Sequence, residues 1–503
     1  MANVINRRRF FTTTAKATMA AALASFANVP LFVQRALAEG NIGLNGKKVL
    51  FIFLRGGNDG INTLVPIMDP AYSVIRPTIG IPKDPAVFYD VASPNADVVA
   101  ANYPYGIKLG NGFAALHPAL YNLSSVFNDR NLALIHRVAY PRQSRSHFDS
   151  QNYWETGSPN NNSLKEGIFY RTMIESGLAG SRALTAVSVQ SNMPLIIRGK
   201  FPMTNLSSVS RYNLLGVYST DRSKHTNAIN VAMNTRHPDK DNRELIYGLG
   251  NQFKETLDIF TDPLFSKNDY MDPNNPGALL FPAGEQFYSR LKTAAQILAQ
   301  TDAIVTGTQL DGFDTHTGQG SAAGSQANLL KKVGWAIYAL QQYFKQYGKG
   351  GPQALPGAQA AWEDIVVVTL SEFGRTSEEN GSTGTDHAEA NAMFVAGGNV
   401  NGGVYLCDSN PNAKLAGPNW TPSDPVLKDG SLFTATGRYL KRAVDYRSVL
   451  GKVIRAHLGA TQPQLNRIIP GYAAPTEYLK DGTPGSAVTS TRIIGEPDIL
   501  PEA

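Results

Sequence analysis

A single cysteine, Cys407, stands among 503 residues, so no intramolecular disulfide can form and the fold must rest on packing. Long apolar runs are also missing. The longest, Ala17 to Val33, is broken by Ser25, Asn28 and Pro30 and falls short of the ~20 residues that a membrane span needs. Charge of one sign is scarce once the N-terminus is set aside. The formal charge of +6 falls to +1 without the five cations of residues 1–38, Arg7, Arg8, Arg9, Lys16 and Arg35, which have no acid among them. No Lys/Arg cluster interleaved with aromatics appears, which excludes a basic nucleic-acid footprint. The chain has no internal repeat, no sizeable low-complexity tract and no long interdomain linker, so residues 39–503 are expected to form a single domain with loop insertions and an irregular C-terminal tail.

What is present begins with Asn6-Arg7-Arg8-Arg9-Phe10-Phe11, paired arginines ahead of two aromatics. An Ala-rich, weakly apolar stretch follows and closes on the small-x-small sequence Ala36-Leu37-Ala38. These parts, in this order, predict a twin-arginine signal peptide over residues 1–38. The chain is then expected to pass folded through the twin-arginine translocase into the periplasm or beyond, with no membrane span after cleavage.

Lys48 to Leu54 is a continuous apolar run that stops at Gly56-Gly57-Asn58-Asp59-Gly60, the pattern of a strand buried on both faces and followed by a tight turn. Similar runs recur at Leu132–Ile135, Leu184–Val189, Ala303–Thr306, Ile365–Leu370 and Ala392–Val395. Between them, Phe287, Leu291, Ala295 and Leu298 share one helical face, as do Leu329, Val333, Ile337, Leu340 and Phe344. Buried strands alternating with amphipathic helices predict a doubly wound α/β fold, its central sheet mostly parallel with helices on both faces.

In such sheets ligands bind beyond the carboxyl ends of the strands. The polar residues that follow the apolar runs are Asp59, then Asp314 and His316, then Glu372 and Arg375, with Asp386 and His387 after a Gly/Ser/Thr loop. Carboxylates and imidazoles converging on one edge form a candidate site for a divalent metal: zinc, manganese, calcium or magnesium. Each acid taken alone is more often a cap or turn residue. The segment Arg142 to Glu155 adds Ser144, Arg145, Ser146 and His147, hydroxyls flanked by cations. They offer a nucleophile beside positive charge suited to a phosphoryl or sulfuryl group, and a plain helix cap is the competing reading.

The segments Phe53–Gly60, Arg145–Asp149, Phe313–His316, Ser371–Thr376 and Gly384–His387 together resemble the domain-of-unknown-function family 1501. That family resembles the alkaline phosphatase and sulfatase superfamily, which implies an alkaline phosphatase-like fold. It also implies metal-dependent hydrolysis or transfer of a phosphate ester, or less favourably a sulfate ester. By this resemblance Ser146 or Ser144 attacks, with Arg145 or Arg375 steadying the anion. The metal ligands are drawn from Asp59, Asp314, His316, Glu372 and His387. Phe373 stands where the superfamily often places a metal-binding histidine, which favours one metal or a rearranged pair. Leu406-Cys407-Asp408-Ser409 does not match the formylglycine context of sulfatases. The expected partner is therefore an anionic ester substrate. The alternative is a non-catalytic envelope factor on the same fold, handling a glycan or assisting secretion or surface assembly. A solvent-open cluster favours catalysis, whereas ligands buried as core groups favour the factor.

Overall fold

A computed structural model describes residues 42–91, 93–178, 184–209, 212, 253, 255–408, 432–433, 439–440, 442–472 and 496–502. The predicted signal segment lies outside them. The strands are β1 (Lys48–Arg55), β2 (Leu64–Val65), β3 (Ile107–Lys108), β4 (Ala115–Leu116), β5 (Leu132–Ala139), β6 (Ala186–Val189), β7 (Thr204–Leu206), β8 (Val305–Asp311), β9 (Ile365–Leu370), β10 (Asn391–Gly397), β11 (Gly403–Tyr405) and β12 (Val444–Asp445). Nine of them make one sheet in the order β11-β5-β10-β9-β1-β8-β6-β7, with β12 beside β5. The short β2, β4 and β3 form a separate antiparallel sheet.

The central strand explains why its sequence is apolar throughout. Leu50, Ile52 and Leu54 of β1 enter one hydrophobic core, together with Leu291 of helix α4 (Gln286–Gln300) and Ile337 of α5 (Ser325–Tyr347). Val49, Phe51 and Phe53 enter a second core on the opposite face, with Phe169 of α3 (Ile168–Glu175) and Val449 of α6 (Tyr446–Lys452). Alternate side chains of an extended strand point to opposite faces, so helices on both sides demand apolar residues at every position. The chain therefore has a mixed α/β architecture built on a large, mostly parallel sheet. Among the described residues, no helix is long and apolar enough to cross a membrane.

β10 departs from the expected parallel pattern: it runs antiparallel to both β9 and β5. An apolar run has the same composition in either direction, so its sense is set by the connection. Residues 371–390 leave β9 at its carboxyl edge and enter β10 at that same edge. This reversal keeps twenty residues of loop, Glu372, Arg375, Asp386 and His387 among them, at the end of the sheet where β1 and β8 also finish.

Among the described residues, three histidines are buried within the fold. Burial pushes His117 and His457 down to about 4, and burial together with Arg137 and Arg76 pushes His136 to about 3. Each is neutral when folded and takes up a proton more readily when unfolded. Their contribution is fully present above pH ~6.5 and is lost as pH falls toward 4. The urea midpoint, measured across that window, is expected to fall steeply as pH is lowered from about 6.5 toward 4.

Candidate metal centre

Two glycines let the loops at this edge meet. Gly56 and Gly57 hold φ of +115° and +79°, which favours glycine. A Cβ on Gly56 would lie 2.4 Å from the Asp314 backbone nitrogen, and one on Gly57 would lie 2.4 Å from the Phe373 ring. Side chains at these positions would therefore push apart the loops that follow β1, β8 and β9.

Where the loops converge, three ligand-type atoms form a small triangle. Asp314 Oδ1 lies 3.2 Å from His316 Nε2 and 3.2 Å from His387 Nε2, and the two imidazole nitrogens are 2.9 Å apart. Tetrahedral zinc with ligands at about 2.0–2.1 Å has ligand-to-ligand edges of about 3.3 Å, so the triangle has the size of one face of such a site. The hydrogen bonds behind the rings fix what the nitrogens present. His387 Nδ1 faces the Arg145 backbone carbonyl at 2.9 Å, which can only accept, so Nδ1 carries the proton. His316 Nδ1 faces Asp386 Oδ1 at 3.2 Å, a carboxylate that likewise accepts. In the neutral rings both Nε2 atoms therefore present lone pairs to each other and to a carboxylate oxygen. Three lone-pair donors at hydrogen-bond distance repel unless a proton or cation lies among them. Backbone or carboxylate partners behind the outer nitrogens are the usual support of metal-binding histidines.

His147 joins the cluster from α2 (His147–Thr156), the helix that starts just beyond β5. Its Nε2 lies 3.5 Å from Asp314 Oδ2, its ring meets the His387 ring edge-on at 4.5 Å, and its Nδ1 lies 3.0 Å from Glu372 Oε1. One ligand atom from each of His147, Asp314 and His387 falls within 4.8 Å of the others. Glu372 is buried, and its Oε1 also accepts from Gly56 N at 2.7 Å and Gln151 Nε2 at 3.1 Å. Among the described residues its Oε2 is buried without a hydrogen-bond partner, an acceptor that calls for a cation or proton nearby. The hydrogen bond and charge of Glu372 raise the His147 pKa against the effect of its burial. Burial would raise the Asp314 carboxyl, but Arg375 and His387 outweigh it and hold the group at about 2. Burial lowers His387 in spite of its Asp314 contact.

The predicted residues thus separate by role. Asp314, His316 and His387 meet directly. Asp386 and Glu372 stand behind histidines rather than in the triangle. Asp59 is not brought to it: this buried residue caps the short helix α1 (Gly60–Thr63) through Ile61 and Asn62 N. Its carboxylate accepts from Arg76 Nη1 at 2.5 Å, Arg76 Nη2 at 3.0 Å and Gln319 Nε2 at 2.6 Å. Arg375 is also wholly buried. It donates to the Gly57, Thr385, Gly56 and Phe313 carbonyls and to Asp314 Oδ1 at 2.6 Å. It therefore positions Asp314 and does not face solvent. Arg76, Gln319 and Gln151 carry no local signal in the sequence, since their partners lie 17 to 260 positions away.

Ser146 is exposed at the N-cap of α2, its Oγ accepting from Asp149 N at 3.4 Å. Ser144 Oγ accepts the Ser146 N–H at 3.2 Å, forming the turn that leads into the helix. Arg145 is exposed, its guanidinium 4.0 Å over the Tyr439 ring with Nη1 donating to the Tyr439 hydroxyl. Ser146 thus sits between two residues that touch His387, Arg145 through its carbonyl and His147 through its ring.

An edge-of-sheet cluster of one carboxylate and two imidazoles, backed by outer hydrogen bonds, defines an α/β protein with a candidate metal centre. A family model described as protein of unknown function (DUF1501) matches residues 46–416, and the chain belongs to that family. No curated protein and no solved structure matches it.

Proposed function

We propose that this chain is an exported, metal-dependent hydrolase or transferase of phosphate esters, with sulfate esters less favoured, working in the periplasm or outside the cell on an alkaline phosphatase-like fold. The observation that carries the reading is the triangle of Asp314 Oδ1, His316 Nε2 and His387 Nε2, three ligand-type atoms within 3.2 Å of one another. Two nitrogens and one oxygen suit zinc or manganese better than calcium or magnesium. Bound there, such a cation supplies positive charge that lowers the pKa of a hydroxyl and offsets charge developing on the ester oxygens.

The chain's own residues account for the rest. Ser146 Oγ, exposed at the positive end of a ten-residue helix, forms the bond to phosphorus as the ester P–O bond breaks. The serine proton passes to His147, whose ring is held by Glu372, and from there to the departing alcohol. Water then releases phosphate from Ser146 by the same proton path in reverse. Arg145, whose only described side-chain contact is Tyr439, is the cation available to the anionic group; Arg375 keeps Asp314 in place.

Openness favours this reading over a non-catalytic envelope factor. Asp314, His316 and His387 expose 46%, 43% and 21% of their side chains, so substrate and solvent reach them. The test is turnover of p-nitrophenyl phosphate by zinc- or manganese-supplemented protein. Ser146→Ala is expected to lower kcat roughly a thousandfold and Ser144→Ala to stay within about threefold. Undiminished turnover in Ser146→Ala would remove Ser146 as the nucleophile.

A further inference from the structure

A concavity opens at the same edge of the sheet, beyond the carboxyl ends of β6 and β7. It encloses about 890 Å³ between Ser191, Ser207 and Ser208 at those strand ends and the first two turns of α4. That volume lies within the range of small-molecule sites. Arg290 lines it and is 8% exposed. Its Nη2 donates to Ser191 Oγ at 2.9 Å, while its Nε is buried without a partner among the described residues. Among the described residues, Arg290 makes no ion pair. Burial lowers its pKa against the influence of Asp311, whose oxygens are engaged by Gln309 Nε2 at 3.0 and 3.3 Å. Lys292 lines the same space, is likewise pushed down by burial and, among the described residues, hydrogen-bonds to Asn268. The one carboxylate in the lining, Glu285, is paired with Lys332 at 2.9 Å.

A buried arginine without a carboxylate is costly, and its cost is offset when an anion joins it. Around the two cations stand hydroxyls that can donate or accept and the aromatic faces of Tyr212 and Phe260, packed edge-on at 5.4 Å. Hydroxyl pairs, ring faces and unpaired cations in one disaccharide-sized space complement a sugar bearing a negative group. We propose that this cavity binds an acidic saccharide, its carboxylate, sulfate or phosphate held by Arg290 and Lys292. Polar side chains lie between the strand that ends at the cavity and the loop that ends at the metal centre. Gln190 Nε2 and Arg55 Nε both donate to Gln309 Oε1, at 3.1 and 3.3 Å, and Arg55 precedes Gly56, which binds Glu372. As the distal half of an ester substrate the saccharide rests on the function proposed above; as a ligand it stands on the geometry of this cavity.

The experiment is calorimetric titration of the purified full chain with digalacturonate, sulfated galactobiose, neutral galactobiose and inorganic phosphate. Binding of an acidic disaccharide, with neutral galactobiose at least roughly tenfold weaker, is expected. Arg290→Gln should weaken it roughly ten- to a hundredfold. Lys292→Gln, at a less buried position, should weaken it several-fold even if the first variant folds poorly. His387→Ala should leave the Kd unchanged, which separates this cavity from the metal centre: binding retained while p-nitrophenyl phosphate turnover is absent in wild type would sink the esterase reading alone. The saccharide proposal is overturned by equal affinity for the neutral sugar, by phosphate alone binding as well as the acidic disaccharides, by affinity that survives both cavity variants, or by no binding in wild type.

Discussion

If the proposed metal centre is right, alanine at His387 or His316 is expected to abolish metal binding. Wild type purified without chelator should carry about one zinc or manganese ion per chain, and either variant less than about a tenth of that, because three first ligands become two. Phosphate-ester turnover should fall with the metal, by roughly three orders of magnitude. Asp386→Ala gives the graded case. It removes the carboxylate behind His316 Nδ1 but no atom of the triangle, and Asn380, which also donates to Asp386 Oδ1, loses a partner. Losing an outer partner of this kind costs roughly ten- to a hundredfold in metal affinity. Metal content at saturating zinc should therefore recover in Asp386→Ala but not in His387→Ala, as read by elemental analysis after dialysis against graded free zinc.

Asp59→Ala should behave in the opposite way: it should keep the metal and lose stability. Arg76 and Asp59 are both fully buried, and removing the carboxylate leaves a guanidinium in the interior with, among the described residues, the Asn62 side chain and the Ser377 and Thr376 carbonyls as acceptors. Breaking a buried pair from one side costs about 3–5 kcal/mol. The same change removes the cap of α1 and the acceptor of Gln319, whose Oε1 in turn receives Thr315 and Thr385. Denaturant unfolding measures the loss, and elemental analysis of the folded fraction reports the metal. Metal loss at unchanged stability would instead make Asp59 a ligand. Replacing Arg76 and Asp59 together by apolar residues should recover part of the lost stability, since no unpaired charge then remains.

This contrast shows how far the sequence could be read. β1 and β9 stood out because burial on both faces leaves an uninterrupted apolar run. Asp314, His316 and His387 stood out because each follows a strand or its loop at the edge where ligands gather. Asp59 occupies an equivalent place after β1, and nothing local distinguishes it from a ligand. Its partners Arg76 and Gln319 come from distant parts of the chain. The same holds for His147, whose orienting carboxylate lies 225 positions away. Arg375 looked like an anion binder because its burial is a property of the assembled loops, not of the motif Ser371–Thr376. The two- and three-residue strands β7, β11 and β12 are too short to show a period. The cavity around Arg290 was hidden for a related reason: one face of α4 reads as core, and only the docked sheet reveals which cation it encloses.

The most direct measurement is anomalous X-ray diffraction at the zinc and manganese edges from crystals of the metal-supplemented protein. The account requires an anomalous peak about 2.0–2.2 Å from Asp314 Oδ1, His316 Nε2 and His387 Nε2 together. No peak at that point, or a peak coordinated by Asp59 in place of His316 and His387, would contradict it.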